Sequence, residues 1–190
     1  MAITPAASVL EFFYEAVKTA LRRQDVHASE LTEYYLVNLL AEFSHEGIDE
    51  EPLILRLAEA LSESPEERAR GLRHIGDTAL YVSGFFGESI ERRLGGTDYY
   101  LSLGESAYEA LAGLLRMSRG SDRWCGVYGE LAEKFARFVD VLAEVSERSS
   151  LGTNQGVLRL YERWVRTHSA RMEEKLRECG LLPSRGGTRH

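Results

Sequence analysis

Apolar side chains recur along this chain at spacings of three and four residues, the period of a helix that buries one face. Residues 6–24 carry Val9, Leu10, Phe13, Val17, Ala20 and Leu21 at that spacing, and Phe12 and Tyr14 widen the stripe. QDVHAS interrupts the pattern, and Ser29 is placed to cap a second helix running to about His45. Its apolar set is Leu31, Tyr34, Tyr35, Val37, Leu39, Leu40 and Phe43, and Gly47 supplies a stop. A short helix from about Glu51 to Ser62 follows, with Leu53, Ile54, Leu57, Ala58 and Leu61 as the stripe expected to be buried.

Ser64-Pro65-Glu66-Glu67 then joins a capping serine, a proline at the first helical position and a nearby glutamate. The helix it starts is predicted to reach Leu94, with Gly71 marking a bend. Thr97 caps the next helix, about Asp98 to Met117, whose arc includes Tyr100, Leu103, Ala107, Leu111 and Leu114. Ser121 opens one continuous helix to Arg148 with Trp124, Val127, Leu131, Phe135, Phe138, Leu142 and Val145 on its stripe. A last helix from Asn154 places Leu158, Tyr161, Val165, His168, Met172 and Leu176 on one side and ends at Gly180.

No segment alternates with the two-residue period of a strand. The expected fold is therefore all-α, an irregular antiparallel bundle of six or seven helices, because short connections make consecutive helices antiparallel neighbours. The helices starting near Pro65 and Asp98 are expected at its centre, and the last two are expected to pair as a hairpin. Residues 1–183 are read as a single domain and 184–190 as a disordered tail.

Charge narrows the partners. The 30 acidic residues outnumber the 23 basic ones, for a net charge of −7, which opposes binding to a phosphate backbone. Nucleic acid is accordingly not expected. Cys125 and Cys179 are far apart and form no CxxC pair or metal spacing, as in a reducing cytoplasm. The first apolar run has no basic lead and is broken by Glu11 and Glu15, so neither a secretory signal nor a membrane span is expected.

Candidate chemistry concentrates in Arg73–Arg93. Glycine in a helix costs roughly 1 kcal/mol against alanine, yet this stretch holds Gly76, Gly84 and Gly87. In helical projection His74, Asp77, Tyr81, Gly84 and Glu88 share one arc, opposite Ile75, Ala79, Val82, Phe86 and Ile90. Gly76 and Gly87 lie on a flank suited to close helix packing. The polar arc has two readings. It lines a small-ligand pocket, with Gly84 giving room over the backbone, or it faces solvent or a neighbouring helix as a hydrogen-bonded network.

Metal ligation has weak candidates in Glu42 and His45, one Glu-x-x-His pair; the two such pairs and two further glutamates of a bundle di-iron site are not present. Gly76-Asp77 and Ser83-Gly84 faintly resemble the glycine-rich helix that heme oxygenases pass over a porphyrin, which implies a tetrapyrrole with His27 or His168 as axial ligand. The cofactor stays open between these and none. Nucleophilic catalysis has no Gly-x-Ser-x-Gly elbow or phosphate-cradling loop behind it. Tyr99 and Phe85 are the aromatic candidates for a protein interface.

The strings LRHIGDTALYVSGFF, DYYLSLGESAYEAL and LYERWVRTHSARMEEKL resemble an uncharacterised family of bacterial cytosolic proteins, a resemblance spanning Leu10 to Leu182. It implies a bacterial, cytoplasmic helical protein and brings no activity with it. The function expected is that of a non-enzymatic interaction or regulatory protein working through a protein partner or as a homo-oligomer. The alternative is a pocket protein holding a metal, a tetrapyrrole or another small molecule on the arc of residues 74–88.

Overall fold

The structure, a computed structural model, describes residues 5–46, 51–90, 96–118 and 122–149; within these, the side chains of 5–8, 45–46, 88–90 and 122 are set aside. Among the described residues there are seven helices and no strand: α1 (Pro5–Arg23), α2 (Glu30–Glu46), α3 (Leu53–Ser62), α4 (Pro65–Ile90), α5 (Gly96–Met117), α6 (Asp122–Glu133) and α7 (Phe135–Arg148). The protein is all-α. Contacts gather into two units, Met1–Ser146 and Glu147–His190, and the fold described below is that of the first. The last predicted helix and the tail lie outside the described residues.

Local signals set the starts of three helices. The Ser29 hydroxyl accepts the Thr32 backbone N–H at 3.2 Å, the bond of a serine N-cap. Ser64 does the same for Glu67 at 3.4 Å, with Pro65 at the first helical position of α4. Gly96 has φ +59°, a left-handed conformation that suits glycine at the start of α5.

Two breaks fall elsewhere than predicted. Gly71 does not bend α4: its missing side chain lets α3 approach, since a Cβ there would sit 2.7 Å from the Ala60 Cβ. The non-helical residue is Phe86 (φ −129°, ψ 18°), whose ring is exposed although the projection placed it on the apolar arc. The predicted helix from Ser121 to Arg148 is interrupted at Lys134, between α6 and α7. Lys134 N–H to Glu130 O and Phe138 N–H to Lys134 O keep the helical bonding running through the interruption.

Side-chain pairings give the directions of the helices. Gly76 faces Tyr108 and Ala79 faces Gly104, so α4 and α5 are antiparallel. Cys125 bonds the Ala112 carbonyl and Tyr128 stacks on Tyr108, so α6 runs back along α5. Tyr35 reaches Asp77 while Phe43 reaches Tyr81, which makes α2 and α4 parallel. Fully buried Leu36, Leu40, Leu72, Ile75, Leu80, Leu111, Leu131, Phe135, Phe138 and Leu142 fill the space between them. Of the α6–α7 stripe, Trp124 alone is exposed.

Polar clasps hold the periphery. Glu130 on α6 accepts from the Ser29 N–H, the Thr32 hydroxyl and the Lys134 ammonium, tying α6 to the start of α2. Burial pushes the Glu130 carboxyl up, but these hydrogen bonds outweigh it and hold the group below the usual range. Gln24, just beyond α1, donates to the Asp140 carbonyl and the Glu144 carboxylate of α7.

Candidate functional site

The polar arc of α4 turns inward. Asp77 is buried at 8% exposure, and its Oδ1 accepts the Tyr35 hydroxyl of α2 at 2.5 Å and the Tyr108 hydroxyl of α5 at 2.7 Å. Arg73, one turn earlier on α4, lies 3.4 Å from Oδ2 and donates from Nε to the Tyr35 oxygen at 3.2 Å. Tyr128 of α6 meets Tyr35 edge-on and stacks on Tyr108, and Trp124 stacks on Tyr128. Three helices, α2, α4 and α5, thus meet at one carboxylate, and α6 packs the Tyr128 ring against both tyrosines.

The electrostatics follow from this burial. Loss of water pushes Asp77 up to about 6, against the hydrogen bonds of Tyr35 and Tyr108 and the charge of Arg73, which pull it down. Glu42 adds a smaller upward push. Burial and the neighbouring carboxylate raise Tyr35 and Tyr108 as well, so both remain hydroxyl donors. Burial works against the Arg73 charge, but Tyr35 and Asp77 outweigh it and push the guanidinium further up. This geometry orients and satisfies a carboxylate. Its donors all come from the bundle itself.

The other residues of the arc go different ways. Tyr81 is buried between the rings of Phe43 and Phe85, each with its centroid 4.7 Å away. The space over Gly84 is taken by α7: a Cβ on Gly84 would lie 2.5 Å from the Leu142 Cβ and 3.3 Å from the Val139 carbonyl. Gly84 is thus a packing glycine, whereas among the described residues nothing lies within 4 Å of a Cβ on Gly87, the glycine expected to pack. His74 is half-buried, and the Glu88 side chain lies outside the description. Of the five arc residues, the structure brings Asp77 into the junction of α2, α4 and α5 and sets Tyr81 and Gly84 into separate packing contacts.

Of the weak metal candidates, Glu42 is exposed and the His45 side chain falls outside the described set. Among the described residues no three of His, Cys, Asp and Glu gather as a metal would need. His168, the possible haem ligand, is also outside, and His27 is exposed. Phe85 is half-buried against Tyr81, and Tyr99 packs against the core edge-on to Tyr100.

The surface holds the feature that the sequence pattern misplaced. Seven of the ten residues of α3, LILRLAEALS, are apolar, and only Leu53 and Ala60 are buried. Ile54, Leu55 and Leu61 stand 51%, 54% and 54% exposed, with Ala58 exposed between them. Of the predicted stripe, Leu53 is buried and Leu57 half-buried, whereas Ile54, Ala58 and Leu61 face outward. Two stripes compete here, 53/57/60 and 54/58/61. The first wins because Ala60 fits against Gly71 and draws α3 close to α4, which larger side chains would prevent.

Charge frames this apolar face. Arg56 is paired with Glu51 at 3.0 Å, Arg68 donates to the Leu61 carbonyl at 2.8 Å, and Arg70 meets Glu67 at 3.5 Å. Among the described residues, exposed Glu59, Glu63 and Glu66 enter no ion pair. The rim of the face is acidic.

No family model, curated protein or solved structure matches the chain. No helix among the described residues is long and apolar enough to cross a membrane.

Proposed function

We propose that this chain is a non-enzymatic helical interaction protein of the bacterial cytosol, which docks another protein chain on the outer face of α3. One observation carries the reading: Ile54, Leu55 and Leu61 are each half exposed on a single helix face. A helix that is apolar nearly all round normally lies inside a core, and contiguous apolar surface on a monomer marks a binding site. The acidic rim and the net charge of −7 argue against nucleic acid as the partner. The polar arc of α4 supports the same reading from the other side, because its central carboxylate is engaged in holding α2, α4 and α5 together.

The test compares wild-type protein with the double variant Ile54→Gln/Leu61→Gln as bait in cytosol from the source cell, with light scattering of each alone. An assembly that forms with wild type and is lost with the variant is the expected result. Identical assemblies from both proteins would contradict the assignment.

A further inference from the structure

Resting on the assignment of α3 as the docking face, we infer that its occupant is a basic amphipathic helix of a different protein and not a second copy of this chain. In projection the outer apolar residues run from Leu61 through Ile54 and Ala58 to Leu55, with Ser62 between the last two, and Glu59 borders them one turn beyond Leu55. A strip of that width suits a single helix laid along it with anchors at i, i+4 and i+7, rather than a broad flat interface.

The rim decides which helix. Glu59 lies at the side of the strip, Glu63 caps the C-terminus of α3 at its end, and exposed Glu66 follows in the first turn of α4. The nearby cations are already engaged: Arg56 by Glu51, Arg70 by Glu67, and Arg68 by the carbonyls of Leu61 and Glu63. A second copy would bring an identical acidic rim against this one, and like charges set opposite each other are a device against the wrong partner. An anionic lipid surface is disfavoured for the same reason. Lysines or arginines flanking an apolar stripe complement the rim.

Two synthetic helical peptides of 18 residues supply the test, one of leucine and lysine in amphipathic order and the other with every lysine replaced by glutamate. Each is titrated by fluorescence anisotropy into the full-length protein, whose mass is followed by sedimentation. The lysine peptide is expected to saturate wild type, to bind Ile54→Gln/Leu61→Gln about tenfold or more weakly, and to lose several-fold, on the order of one decade, with Glu59→Gln/Glu63→Gln/Glu66→Gln. Added salt weakens it, the glutamate peptide shows no saturation, and the protein sediments as a monomer.

Equal binding of both peptides, or no effect of the glutamate substitutions, overturns the basic partner while leaving α3 as a docking face. A dimer dissolved by Ile54→Gln/Leu61→Gln overturns it in favour of a second copy, and the assignment of the face again survives. No binding of either peptide, with a monomer unchanged by the double substitution, removes the inference and the assignment together. Circular dichroism of each variant guards against misfolding as the cause.

Discussion

Asp77 and the outer face of α3 are opposites: a carboxylate inside the bundle, and leucines and isoleucine outside it. Each breaks the ordinary partition of polar and apolar groups, and the two are resolved differently. Asp77 has its partners within the fold, from Tyr35, Tyr108 and Arg73 on three helices. Among the described residues the α3 face has no such counterpart on its outer side, where half of each large side chain remains in water. A buried polar group satisfied from within is an architectural element, whereas an exposed apolar stripe leaves apolar surface in water. The comparison also separates two kinds of mutation, those that unfold the protein and those that disconnect it.

The largest effect is expected at the buried end. Asp77→Ala strands two buried tyrosine hydroxyls and a half-exposed guanidinium, and should cost about 3 kcal/mol or more, read as a fall in the urea midpoint. Unchanged stability would mean that the carboxylate does not hold α2, α4 and α5 together.

The same group gives a pH signature. Its folded pKa, about 6, lies above the ordinary 3.8, so the folded state holds the proton more tightly than the unfolded one. Its contribution is fully present below about pH 4 and is lost as pH rises through 6, a swing on the order of 3 kcal/mol at most. Glu130, held below its usual range, acts in the opposite sense, with stability lost as pH falls. Urea midpoints of wild type and Asp77→Asn from pH 4 to 7.5 isolate the Asp77 share. The difference between the two proteins should change across this window, and a constant difference would refute the assignment.

Glycine substitutions sharpen the contrast at finer scale. Gly84→Ala drives a methyl group into Leu142 and should destabilise by about 1–3 kcal/mol. Gly87→Ala meets nothing within 4 Å among the described residues and should stabilise α4 by up to about 1 kcal/mol. Thermal unfolding of the pair checks both signs, and a matching loss at Gly87 would contradict the packing described.

What was legible in the sequence follows from how local each signal is. Ser29, Ser64 and Pro65 act within one helical turn, so the starts of α2 and α4 could be read directly. The all-α class rests on periodicity over whole helices and was equally readable. The junction was only half visible. Projection grouped Asp77 with His74 and Tyr81 on one face of α4, but Tyr35 and Tyr108 come from helices whose rotation depends on the packing of every neighbour. Leu36, fully buried but outside the expected stripe of α2, was missed for a similar reason: that helix is buried over a wide arc. At Gly84 the rule that glycine admits close approach was sound, but only the fold shows that Leu142 is what approaches.

The stripe of α3 could not have been assigned from its own ten residues. Both apolar faces have helical spacing, and the choice between them is made by Ala60 against Gly71, a contact between two helices. Composition did carry a usable signal, since an excess of apolar residues over what one buried face requires marks a helix with two faces to cover.

The central claim is that the outer face of α3 plays no part in holding the fold together. Equilibrium urea unfolding of Ile54→Gln/Leu61→Gln tests it most directly. Exposed positions change stability by roughly 0.5 kcal/mol or less, so the midpoint is expected to stay at the wild-type value. A loss of about 2 kcal/mol or more, as buried apolar side chains give, would show that the face is already covered within the folded chain and would contradict the account.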